Sequence, residues 1–90
     1  MYIDTVTIGE EWVALSSLMT VGDAPVYIQN RGSLSGQLGV LRVCEGNEAP
    51  DADAGDIVLP AQRIYFQKGE QDLYLKSENG QIKINISTGE

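Results

Sequence analysis

The chain has 90 residues, with 13 Asp and Glu against 6 Lys and Arg, a formal net charge of −7, one cysteine and no histidine. That length fits one small domain with a thin margin of stability, taken here as a single unit over 1–90. The acidic balance argues against nucleic-acid binding, where Lys and Arg supply most of the affinity, and against anionic membrane surfaces. Cys44 has no partner for an internal disulfide, and without histidine neither a Ser-His nucleophile nor a Cys/His zinc site can be assembled.

From the start, Met1-Tyr2-Ile3-Asp4-Thr5 lacks the basic and apolar regions of a signal peptide, so use without export by that route is expected. No stretch supplies the ~20 apolar residues that span a bilayer. Val6, Ile8, Val13 and Leu15 fall in early strands. Residues 11–19 could make about two helical turns, but so short a helix is marginal alone and the segment is taken as strand. Turn formers then recur at strand-like intervals: Gly22-Asp23-Ala24-Pro25, Asn30-Arg31-Gly32, Gly36, Gly39, Gly46-Asn47, Pro50, Gly55, Pro60, Gly69 and Asn79-Gly80.

Three segments share a pattern: Val26-Tyr27-Ile28-Gln29, Ile64-Tyr65-Phe66-Gln67 and Leu73-Tyr74-Leu75-Lys76. Strand side chains alternate between faces, so each tyrosine points away from its apolar neighbours and outward. Asn79-Gly80 is the favoured pair for a two-residue type I′ hairpin, where both positions need positive φ. With Glu78 opposite Gln81, Leu75 meets Ile84 and Leu73 meets Ile86 on the core side. Tyr74 then meets Asn85, and Lys76 meets Lys83, on the other. Upstream, two arrangements stay open. With Lys68-Gly69-Glu70-Gln71 as a loop, Phe66 faces Leu73, Ile64 faces Leu75 and Tyr65 faces Tyr74; alternatively, residues 62–67 belong to the opposite sheet. Seven or eight short strands in so short a chain predict an all-β fold, a small antiparallel β-sandwich or jelly-roll-like barrel.

No catalytic residue, cofactor or metal is expected. Glycoside hydrolysis needs two carboxylates across a cleft, one of them buried, and most Asp and Glu here sit among small or polar neighbours. The segment 45–56 gathers Glu45, Glu48, Asp51, Asp53 and Asp56; Asp51, Asp53 and Asp56 could offer oxygens to calcium, but the match to an EF-hand loop is poor, because Asp56 stands where glycine is needed and Gln62 where the closing glutamate is. A solvated acidic loop is the simpler reading. The candidate interface is Tyr27, Tyr65 and Tyr74, which offer area and a hydroxyl at modest entropic cost, with a basic row of Arg63, Lys76 and Lys83 beside them. Such a row suits an acidic partner surface or another copy of the chain. A sugar-binding platform built on Trp12 with Tyr65 or Tyr74 is the alternative.

The succession Tyr27-Ile28-Gln29-Asn30-Arg31-Gly32, Leu41-Arg42-Val43-Cys44-Glu45 with Pro50, Gly55-Asp56-Ile57-Val58-Leu59-Pro60, Leu73-Tyr74-Leu75-Lys76-Ser77 with Gly80, and Ile82-Lys83-Ile84 resembles small β-sandwich proteins of bacteriophage virions. The likeness covers roughly residues 25–86. It implies a non-enzymatic structural protein: capsid decoration first, a head-fibre or tail accessory second, often trimeric. The expected partners are further copies of the chain and the major capsid protein, with no nucleic acid and no membrane. The location implied is the virion, after synthesis in the bacterial cytoplasm. Cys44 and the acidic 45–56 loop depart from the family's pattern.

Overall fold

The computed structural model describes residues 2–20, 24–34, 38–67 and 71–88. Of the expected turns, Gly22-Asp23, Gly36 and Lys68-Gly69-Glu70 lie outside the described residues. Wherever apolar and polar residues alternate, the chain is extended, giving eight strands among the described residues: β1 (Tyr2–Ile8), β2 (Val13–Ala14), β3 (Val26–Ser33), β4 (Leu41–Gly46), β5 (Asp56–Val58), β6 (Arg63–Phe66), β7 (Asp72–Ser77) and β8 (Ile82–Thr88). The early segment is strand only over Val13–Ala14; Leu15, expected in a strand, opens a single 3-10 turn over Leu15–Ser17 and is fully buried.

The strands form two four-stranded antiparallel sheets, in the orders β1-β8-β3-β6 and β2-β7-β4-β5. Within them β1 pairs β8, β2 pairs β7, β3 pairs β6 and β4 pairs β5. The chain is thus a long hairpin with its tip at β4–β5, rolled up so that its two arms alternate between layers. That is the strand order of a jelly roll, and the expected β-sandwich is present. Between the layers lie Val26, Ile28, Phe66, Ile82, Ile84 and Ile86 from the first sheet, and Leu41, Val43, Val58, Leu73 and Leu75 from the second.

The rolled topology corrects the expected hairpin at Asn79-Gly80. β7 and β8 lie in opposite sheets, so Leu73 and Leu75 meet the isoleucines across the core rather than beside them. Alternation puts the same residues inside in both arrangements, and periodicity alone does not choose between them. Gly80 has φ 66°, but Asn79 does not share the positive φ that a type I′ turn requires. The turn is pinned from outside: Ser77 N–H donates to Gly9 O at 2.8 Å, Glu78 N–H to Val40 O at 2.9 Å, and Gly80 N–H to the Glu10 carboxylate at 2.9 Å. The proposed facing of Phe66 with Leu73 and Tyr65 with Tyr74 fails for the same reason, and the alternative stands, since 63–66 lie in the sheet opposite β7.

Asn30-Arg31-Gly32, expected as a turn, is a bulge inside β3. Asn30 pairs Ile84 and Gly32 pairs Lys83, leaving Arg31 as the extra residue, with Gly32 at φ 96°. Asn30 is wholly buried, and its amide ties the layers together. Nδ2 donates to Gly39 O at 2.8 Å and to Val58 O at 2.9 Å, while Oδ1 accepts the Gly32 N–H at 2.8 Å.

The connection from β5 to β6 is a turn closed by Gln62 N–H on Leu59 O at 3.0 Å, with Pro60 and Ala61 at its centre. Ala61 has φ 72°, at the position where a type II turn prefers glycine. Ala61→Gly is expected to raise stability by about 0.5–1 kcal/mol, the relieved strain exceeding the added freedom of the unfolded chain. A denaturant midpoint that stays or falls would contradict this.

Candidate functional site

The outer face of the first sheet is built by cross-strand rows. Tyr65 on β6 pairs Tyr27 on β3, which pairs Ser87 on β8, which pairs Tyr2 on the edge strand β1. The next row runs Arg63, Gln29, Asn85 and Thr5, and Lys83 lies beyond it between Gly32 and Thr7. The rings of Tyr27 and Tyr65 meet edge to face, 5.6 Å between centroids at 62°, and the Arg63 guanidinium lies 5.6 Å from the Tyr27 centroid. Tyr65 is 55% exposed.

At the other side of this face, Tyr2, Thr5, Arg31, Lys83 and Asn85 line a shallow hollow. The Thr5 hydroxyl donates to Asn85 Oδ1 at 2.7 Å and therefore accepts from the Tyr2 hydroxyl, also at 2.7 Å. Asn85 Nδ2 makes no hydrogen bond among the described residues. Arg31, Arg63 and Lys83 make no ion pair among the described residues. The four strands carry these three cations and a single carboxylate, Asp4, a net of +2 on a chain of net −7.

Comparison with protein-family models, curated proteins and solved structures finds no match to this chain.

The outer face of the second sheet is different in kind, because its charges are satisfied within the chain. Arg42 on β4 pairs Lys76 on β7, and both reach the Glu78 carboxylate, Arg42 through Nε and Lys76 at 3.9 Å. The Lys76 ammonium also lies 5.5 Å from the Trp12 ring centroid. Tyr74 is half-buried there between Cys44 and Ala14. Lys76 and Lys83, expected side by side, lie on opposite outer faces, since their strands belong to different sheets. Of the six expected interface residues, the fold brings together Tyr27, Tyr65, Arg63 and Lys83, and leaves Tyr74 and Lys76 behind. It also separates Trp12, under Lys76, from Tyr65 on the far face.

The loop from β4 to β5 is held down by Arg42, whose Nη1 donates to Asp53 O at 2.8 Å and Ala54 O at 3.3 Å, and by a turn with Ala54 N–H on Asp51 O at 3.0 Å. The carboxylates of Glu45, Glu48, Asp51, Asp53 and Asp56 make no hydrogen bond or ion pair among the described residues. No three metal-ligating side chains among the described residues group closely enough to hold an ion. Where the free edges of β5 and β6 part, a groove opens onto core side chains, among them Val43, Val58, Ile64, Phe66 and Leu73.

Sequence reasoning missed Tyr2, Thr5, Arg31 and Asn85. The usable signal was Asn30-Arg31-Gly32 itself, since a glycine inside a strand pattern marks a bulge as readily as a turn, and a bulge re-aims its side chain.

Proposed function

We propose that the chain is a non-enzymatic binding and assembly module of a bacteriophage virion, a capsid decoration protein working through the outer face of its first sheet. The observation that carries the binding part is the basic row of Arg31, Arg63 and Lys83 among exposed tyrosines, without an ion pair among the described residues, on a chain otherwise strongly acidic. A partner that fits offers carboxylates and apolar area together, which is how protein interfaces differ from polyanions such as nucleic acid. The virion part is supported by the residue resemblance and by the jelly-roll strand order, an architecture shared by viral capsid and lectin domains.

In this role the protein assembles as a homo-oligomer, a trimer in the resemblance, and binds across junctions of the major capsid protein. Only the assembled shell offers such a junction, so binding stabilises the particle by mass action. Mass spectrometry of virions from the source that encodes the chain is expected to find it at high copy number; its absence would overturn the proposal. The double variant Arg63→Glu with Tyr65→Ala should weaken attachment to those virions by at least about tenfold, as loss of an arginine and a tyrosine anchor does at other interfaces. Both side chains are exposed, so its thermal midpoint should stay near that of the parent.

A further inference from the structure

We infer that the hollow formed by Arg31, Lys83 and Asn85 seats carboxylates of the 45–56 loop of a second copy of this chain, joining copies head to tail. The inference rests on the first sheet's outer face being the binding surface, and names what that surface takes.

The hollow selects its ligand by donor count. Arg31 brings five N–H donors and Lys83 three, and the Tyr2-to-Thr5-to-Asn85 relay uses Asn85 Oδ1 as acceptor and leaves the amide N–H groups without a partner among the described residues. None of the lining residues is a carboxylate. A cluster of donors around a shallow opening fits an oxyanion, and arginine suits the planar fork of a carboxylate. The arginine is not a loosely placed surface residue. It is the extra residue of the bulge, and the bulge is fixed by the buried Asn30 on one side and Gly32 on the other.

The same chain offers the matching group. The loop between β4 and β5 presents the carboxylates of Glu48, Asp51 and Asp53, which have no partner among the described residues, on a backbone held by Arg42 and by the turn at Asp51–Ala54. Its own hollow is out of its reach. The loop leaves β4 at Gly46 and enters β5 at Asp56, both strands of the second sheet. Arg42 also draws the loop toward the outer side of the second sheet, opposite the face that carries the hollow. Basic seat and acidic loop thus lie on opposite faces of the sandwich. Each copy can give its loop to one neighbour and its hollow to another, a heterologous contact that closes into a ring or continues as a chain according to the rotation between copies.

Sedimentation of four proteins over a concentration series tests this: the parent, Arg31→Glu with Lys83→Glu, Asp51→Lys with Asp53→Lys, and the combination of all four changes. All four positions are exposed, and circular dichroism melts identify any variant that fails to fold. The parent should self-associate, and each double reversal should weaken association by about tenfold or more. The combined protein, with its charges exchanged, should return to within about threefold of the parent, since the two patches then match again. A parent that stays monomeric at about 100 μM, far above the typical affinity of a specific interface, would overturn the inference. So would a combined variant no stronger than the two separate reversals. In either case virion attachment of the Arg63→Glu, Tyr65→Ala variant decides separately whether the face binds a capsid partner.

Discussion

Asn30→Leu is expected to cost about 2–4 kcal/mol, because leucine keeps the branched shape of the side chain while removing all three of its hydrogen bonds. Gly39 O, Val58 O and Gly32 N–H are each left without the partner that Asn30 supplies. Two of these bonds run from the first sheet to the end of β5 and the approach to β4, so the loss falls on the contact between layers rather than on one ladder. Asn30→Asp should be worse at neutral pH, since a buried carboxylate would then face two carbonyl oxygens. A domain of this size holds roughly 5–13 kcal/mol in total, so either change removes a large share of it. Equilibrium unfolding in urea measures the effect, and a loss below about 1 kcal/mol would show that the tie contributes little.

Gly55→Ala is expected to destabilise by at least about 2 kcal/mol, through left-handed strain combined with overlap. Gly55 has φ 89°, and a Cβ there would run into the Val43 carbonyl oxygen and come within 2.8 Å of Cys44 Cβ. The adjoining ladder, with Val43 opposite Asp56, leaves the backbone little room to retreat. The variant should also displace the acidic loop from its seat on Arg42 and weaken self-association beyond what the stability loss explains. Gly46→Ala, on the strand that enters the same loop, is the control. Its Cβ would meet only Glu48 O, at an ordinary 3.4 Å, and stability should change by less than about 1 kcal/mol. Equal losses at the two positions would sink the steric account.

Much of the fold could be read from residue order because alternation is a local property. Leu73, Leu75, Ile82, Ile84 and Ile86 are all buried, and Tyr27, Tyr65 and Tyr74 all face outward, as period-two placement requires. Strand partners are not a local property. The same alternation serves a hairpin and a crossover equally, so Asn79-Gly80 reads as a hairpin although the adjacent pair in the rolled chain is β4–β5. Everything built on that pairing moved with it. Lys76 and Lys83 separated, whereas Arg63 found Tyr27 through a β3–β6 ladder that joins residues more than thirty positions apart. Asn30 was invisible for a related reason: beside Arg31-Gly32 its amide reads as turn chemistry, and only the second layer supplies the carbonyls that it serves.

The free borders of the two sheets are β1 and β6 in one and β2 and β5 in the other. Three of these run for only two to four residues, and the seven-residue β1 is broken by a register shift between Tyr2 and Asp4, with an exposed charge at the break. Short or kinked borders offer poor templates for runaway strand addition, the route by which β proteins precipitate as fibrils. This border design lets copies of the chain crowd against one another without polymerising through their backbones. Copies of the chain are left to meet through side chains on their faces, where charge can choose the neighbour.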